Sequence, residues 1–162
     1  MSRRKSQSKV QTGFNQMNLR QLLEDNEFGL EVLPDKVHLY TLYPGDKFKV
    51  LGYLLPILVS DEFYSLTQSK DELSLILNVK HHYELSNMCR LTSMPDKYVV
   101  LRVYQESHGI NEQGVVVKLA KFFSDNNVSI LYVNSFNNNF ILIPENQVDS
   151  CVYDLTPEEI LV

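Results

Sequence analysis

The sequence predicts an α+β fold built from two tandem βαββαβ units, each carrying its helices on one face of an antiparallel sheet. Two observations lead there. Segments with helix, strand, turn and strand character occur twice in the same order. The two occurrences are offset by about 66 residues when Phe63 is set against Ser129, and they share almost no identities. A chain of 162 residues, 44% of them hydrophobic, has room for one ordinary domain or two small ones around a real core.

In the first unit, Leu30-Glu31-Val32-Leu33 and Val37–Leu42 read as two short strands around a Pro34-Asp35 turn. Tyr43-Pro44-Gly45-Asp46 punctuates the chain, with Asp46 a plausible N-cap. Phe48, Leu51, Leu55 and Leu58 then fall at helical spacing, in a helix that Pro56 should kink or shorten. Phe63–Thr67 and Leu73–Leu77 flank a polar turn and form a hairpin. A weak helix near residues 79–86 and a strand at Met88–Ser93 close the unit.

After the break at Met94-Pro95-Asp96, Tyr98–Tyr104 is a near-continuous β-branched and aromatic run, as expected of a strand covered on both faces. Val116, Leu119, Ala120 and Phe123 line one face of the helix that follows, with Val115 and Phe122 beside it. Asp125-Asn126-Asn127 ends it, because Asn tolerates the left-handed conformation at a helix C-terminus. Val128–Val133 and Phe140–Ile143 are strands, and Pro144 opens a last amphipathic helix carrying Val148, Val152 and Leu155. The expected arrangement is therefore ferredoxin-like, with residues 28–94 and 95–162 as the two units behind a disordered basic tail at 1–27. The final strand of the second unit is short in this reading, so either it is minimal or another chain completes the sheet.

Charge is unevenly spread. Arg3, Arg4, Lys5, Lys9 and Arg20 face no acid within the first 20 residues, whereas the whole chain carries a net charge of -5. This Ser-, Gln- and Asn-rich stretch buries too little apolar surface to offset chain entropy. It suits a nuclear-import patch, an anionic-lipid contact or a phosphorylation tail, or a solvated arm with no specific partner. The acidic remainder argues against a nucleic-acid partner, since duplex affinity rests on Lys and Arg at phosphates. No apolar run approaches the ~20 residues of a spanning helix, and the Met1–Lys5 start is not a secretory signal. Cys89 and Cys151 lie far apart and suit a reducing compartment, so the expected location is cytoplasmic, or nuclear through the basic tail.

Catalytic signatures are missing. His38, His81, His82 and His108 form no metal-spaced cluster, and the adjacent pair would point about 100° apart on a helix. Gly109 and Gly114 lack the Lys-Ser/Thr of a phosphate loop, and there is no Gly-x-Ser-x-Gly elbow. Neither an enzymatic activity nor a metal or other cofactor is expected.

One stretch does carry a resemblance. Gly109-Ile110-Asn111-Glu112-Gln113-Gly114-Val115-Val116-Val117-Lys118-Leu119-Ala120, followed by Asn127-Val128-Ser129-Ile130 and continuing through Ser135-Phe136-Asn137-Asn138-Asn139-Phe140 to Pro144-Glu145, resembles the ACT module of the CASTOR (GATS-like) family. Phe63–Thr67 with Asp71–Ser74, and Leu30–Pro34, resemble upstream segments of the same family. The resemblance implies non-catalytic ferredoxin-like modules that bind amino acids at module interfaces. The family's animal members have four modules and sense cytosolic arginine, relaying it to target-of-rapamycin signalling through protein partners. With two modules, this chain would rebuild such an interface by pairing with another copy or a relative, most simply as a homodimer with the second modules facing each other.

By the same resemblance, Gly109, Ile110, Asn111 and Glu112 lie on the loop before a helix whose free N–H groups suit a carboxylate. Ser129 and Ile130 match strand-start positions that hold the ligand carboxylate, and Ser135 and Phe136 match the turn that lines the pocket or meets the partner. Asn139 stands where the family has an Asp that pairs with the guanidinium. Losing that charge-assisted bond costs about 1–2 kcal/mol, roughly five- to thirty-fold in arginine affinity. A neutral polar amino acid therefore becomes an alternative ligand. The rival readings are a ligand-free interaction module and a detached regulatory subunit of an amino-acid biosynthetic enzyme such as aspartokinase.

Overall fold

A single strand, β1 (Phe28–Leu42), runs through both of the short strands expected at the start of the chain. The computed structural model describes Leu19, Leu22 and residues 28–105 and 114–150. Pro34 has no N–H to give to a ladder, and the chain absorbs it in a bulge: pairing with the neighbouring strand shifts between Val32 and Lys36 instead of reversing in a turn.

The first lobe continues through a 3-10 turn at Pro44–Asp46, α1 (Lys47–Leu58), β2 (Ser65–Gln68), β3 (Leu73–Asn78), a second 3-10 turn at Val79–His81, α2 (His82–Met88) and β4 (Leu91–Ser93). Helix α2 thus runs into the segment expected to open a strand at Met88. The second lobe comprises β5 (Tyr98–Gln105), α3 (Val115–Asp125), β6 (Leu131–Asn134) and β7 (Asn139–Pro144), then a 3-10 segment at Glu145–Ser150. Asn127 has φ 58°, the left-handed stop foreseen for α3. It is followed by the Val128 N–H donating to the Phe123 carbonyl, so β6 starts three residues later than expected. Pro144 ends β7 and does not open an α-helix; Val148 packs on the core, while Val152 and Leu155 lie outside the described residues.

All strands join one antiparallel sheet in the order β2-β3-β1-β5-β7-β6, with β4 also on β1. The second half of β1 pairs β3 on one edge and β4 on the other. Its first half pairs β5, through Phe28↔Gln105 to Val32↔Leu101. Beside β5 it takes the place that the fourth strand of a βαββαβ unit would occupy. The sheet of the second lobe is therefore continued by the chain's own N-terminal strand, and the two lobes share β1.

Strand alternation sorts the core onto two faces. On the helix-bearing face of the second lobe, Phe28, Leu30, Leu101, Val103, Ile141 and Ile143 meet Leu119, Phe122 and Phe123 of α3. Leu19 and Leu22, both helical, are buried in the same cluster; the rest of the stretch at 1–27, expected as a disordered basic tail, lies outside the described residues. In the first lobe Tyr40, Leu42, Leu75 and Leu77 pack on Val50, Leu54 and Ile57 of α1 and on Leu85 of α2. Register parity puts both sets of helices on the same side. The opposite face buries Val37, Tyr98, Val100 and Leu142, and Phe63 from the α1–β2 connection reaches Phe140 with ring centroids 4.8 Å apart.

Helix α1 forms where the spacing put it, but Phe48, Leu51, Leu55 and Leu58 are its exposed stripe; the buried one is Val50, Leu54 and Ile57. Asp46 does not cap α1 with its side chain. It lies buried and ties the start of α1 to the approach of β4, accepting from Lys49 Nζ at 2.8 Å and from the Arg90 N–H at 3.0 Å. The Lys49 hydrogen bond, then the Arg90 one, hold its pKa down to about 2, against an ordinary 3.8. Because the folded value lies below the unfolded one, Asp46 stabilises the fold above the ordinary value, and that contribution fades as pH falls through about 2. A melting-temperature profile across this acid window should fall less steeply for Asp46→Asn than for the native chain; parallel profiles would refute the linkage.

Candidate functional site

The β5–α3–β6 path decides which candidate residues can meet. Both β5 and β6 run antiparallel to β7, so they point the same way, and α3 returns between them. The end of β5, the start of α3, the end of β6 and the start of β7 therefore share one pole of the second lobe. Val103 of β5 stands opposite Asn139 of β7, and Asn139 opposite Asn134 of β6. Gly109, Ile110, Asn111 and Glu112 lie outside the described residues, but Gln105 and Gly114, between which they fall, belong to this pole.

Gly114 takes φ 109°, a backbone that glycine adopts without strain, and among the described residues no side chain caps α3. Within the described residues, the first N–H groups of α3 therefore have no side-chain acceptor. Across the pole, the Ser135 N–H donates to the Asn138 carbonyl at 2.8 Å, while the Asn138 N–H donates to Ser135 Oγ at 3.1 Å. The Ser135 hydroxyl is thereby committed to closing its own turn. Phe136 projects from that turn at 87% exposure, the largest apolar group offered at this pole. Asn139 is buried at the head of β7.

Ser129 and Ile130 lie elsewhere. They precede β6, at the opposite end of the strand, about 20 Å along the chain from Ser135 at ~3.3 Å per residue. The Ser129 N–H donates to Gln147 Oε1 at 2.8 Å, and Ile130 packs against the second-lobe core. The structure thus brings Ser135, Phe136 and Asn139 together where β6 ends and β7 begins and sets Ser129 and Ile130 apart from them.

The first lobe contains polar groups that local spacing gave no means of finding. His81 lies between Tyr53, whose hydroxyl is 2.7 Å from Nδ1, and Glu62, whose carboxylate is 2.9 Å from Nε2. Lys80 Nζ reaches the other Glu62 oxygen at 2.7 Å and is the main cause that lowers the Glu62 pKa. Burial, then Glu84, raises the Tyr53 pKa, so this phenol stays protonated and is no nucleophile. The arrangement clamps α1 to the start of α2. Nearby, His38, Tyr40 and His82 cluster with ring centroids 5.4–5.8 Å apart, Tyr40 stacked on His82 and His38 tilted against both. Burial lowers the His38 pKa and raises that of Tyr40 to about 12. A groove of about 270 Å³ crosses the helix-free face, lined by Thr41, Ser65, Thr67, Ser74 and Ser93 over Ile76 and Met94. Among the described residues no group of three or more His, Cys, Asp or Glu could hold a metal ion, and no helix is long and apolar enough to cross a membrane.

Comparisons with known proteins agree with this architecture. Residues 93–153 match the ACT domain. Comparison with curated protein sequences yields no match. Among solved structures, a protein of unknown function from Vibrio cholerae, described as a possible transport protein, superposes with a TM-score of 0.57 at 12% identity, covering 78% of this chain and 84% of that one. The regulatory subunit of aspartate kinase from Thermus thermophilus gives 0.53 at 12% identity, covering 83% of this chain and 97% of the subunit. Aspartate kinase from Clostridium acetobutylicum gives 0.51 at 13% identity, with 74% of this chain matching 31% of the enzyme. The chain has an ACT-like α+β fold, and its residues 93–153 match the ACT domain itself.

Proposed function

We propose that the protein is a non-catalytic regulatory chain that binds an amino acid at the pole of its second lobe and reports it to a protein partner. The observation that carries this reading is the ACT-domain match over a lobe whose β5–α3 junction and Ser135–Asn139 turn share one end. There the start of α3, uncapped among the described residues, suits a carboxylate, and Gly109, Ile110, Asn111 and Glu112 are the residues assigned to it. Ser129 and Ile130, at the far end of β6, join the same ligand only when a second module supplies them. A homodimer with facing second lobes, or pairing with a relative, meets that need. Ligand bridging then favours one orientation of the modules, a population shift. Arginine sensing of the CASTOR type, feeding nutrient signalling in the cytoplasm, is the specific form we favour; Asn139 in place of a carboxylate extends the candidates to neutral polar amino acids.

Thermal-shift and calorimetric titration of the whole chain against the twenty amino acids tests this. One of them should raise the melting temperature, by an amount corresponding to about 2.7 kcal/mol at a hundredfold excess over Kd, and Gly109→Glu should abolish the gain. No shift with any amino acid would instead leave a ligand-free interaction module. A second reading, the detached regulatory subunit of an amino-acid biosynthetic enzyme, draws on one observation: the chain covers nearly the whole of the Thermus thermophilus regulatory subunit. Co-purification of a biosynthetic kinase would favour it.

A further inference from the structure

Helix α1 is apolar on both sides. Its inner stripe is core, but Phe48, Leu55 and Val59 stand 81%, 62% and 87% exposed, with Leu51 and Leu58 flanking them. Gly52 lies on this outer face, and a Cβ built there would meet nothing within 4 Å. From Val50 to Ser60 the sequence has no charged residue; Lys47 and Lys49 precede that run, and Asp61 and Glu62 follow it. Lys49 is paired with Asp46, and Glu62 with Lys80 and His81, whereas Lys47 and Asp61 take part in no ion pair among the described residues.

At 100° per residue, Phe48, Gly52 and Leu55 form the centre line of the exposed face, and Val59, the residue that follows the helix, continues the exposed apolar run. This line is complementary to itself when reversed. A two-fold axis beside the middle of α1 sets Phe48 of one copy against Val59 of the other and Leu55 against Gly52, a knob over a hole. The same axis brings Lys47 at the start of one helix beside Asp61 at the end of the other. The five exposed apolar side chains, Phe48, Leu51, Leu55, Leu58 and Val59, lie together on this face, the kind of clustered apolar surface that marks an interaction site. We infer that α1 is a homodimerisation surface, occupied by α1 of a second copy in antiparallel orientation. It lies on the first lobe and acts without any ligand, so it stands whether or not the second lobe binds an amino acid.

Sedimentation of the ligand-free full chain over a concentration series tests the surface. The native chain should dimerise, and Gly52→Glu should raise the dimer Kd at least about 100-fold. That position is solvent-facing with open space, so the fold of the monomer should be intact and its melting curve unimpaired. Leu55→Asp should act in the same direction. Lys47→Glu alone should weaken the dimer about threefold to tenfold, and Lys47→Glu with Asp61→Lys should restore it. A native chain that stays monomeric, a Gly52→Glu dimer as tight as native, or a double charge swap no tighter than the single one would each overturn the inference.

Discussion

A chain beginning at Val37 is expected to keep its first lobe and lose its second. Val37–Leu42 still pairs β3 and β4, so the Tyr40–Leu85 core is untouched. The second lobe, in contrast, loses the strand beside β5 and with it Leu19, Leu22, Phe28 and Leu30, all buried in its core. At roughly 2–5 kcal/mol for each large buried side chain, the loss reaches or exceeds the ~5–15 kcal/mol that holds an ordinary domain folded. Hydrogen exchange should show amides of β5, β7 and α3 unprotected while those of β3 remain slow. Adding a peptide covering residues 17–36 in trans should restore protection. Unchanged exchange in β5 and β7 would mean that the second lobe completes its sheet in another way.

This sharing of β1 marks where the sequence stopped being legible. The order of elements could be read because each obeys a local rule: a β-branched and aromatic run in β5, apolar residues at helical spacing in α3, an Asn pair that ends it. Which strand lies beside β5 is not a local property. It depends on a pairing some 70 residues away in the chain, and the Pro34 signal that would have helped is ambiguous, because proline serves a turn and a bulge equally well. Helix α1 was ambiguous in another way. With apolar residues all round, its period identifies a helix but not which stripe faces in, and only the packed structure selects Val50, Leu54 and Ile57.

The candidate site was legible in part for the same reason. Ser135, Phe136 and Asn139 are near neighbours in sequence, and a hairpin keeps them together. Ser129 is also near in sequence, but a strand intervenes, and extended chain turns six residues into a separation larger than an amino acid. The Tyr53–His81–Glu62 contacts had no signal at all, since the partners come from three separate elements and make no spacing motif.

Phe123→Ala should cost about 3–5 kcal/mol, among the largest effects of any single truncation in the second lobe. The ring is fully buried, meets Phe122 edge-on with centroids 5.3 Å apart, and belongs to the cluster joining α3 to β5 and β7. The cavity left behind loosens the helix whose first turn frames the proposed ligand pole, so stability and ligand response should fall together. Phe136→Ala is the counterpart: at 87% exposure it should change stability by no more than about 0.5 kcal/mol. Denaturant melts of the two variants, each with and without the amino acid that stabilises the native chain, separate the roles of the two rings. A Phe136→Ala chain that melts like native yet no longer responds assigns that ring to ligand or partner contact. A Phe123→Ala loss below about 1 kcal/mol would mean that α3 is not held by this core, and the pole would lose its rigid frame.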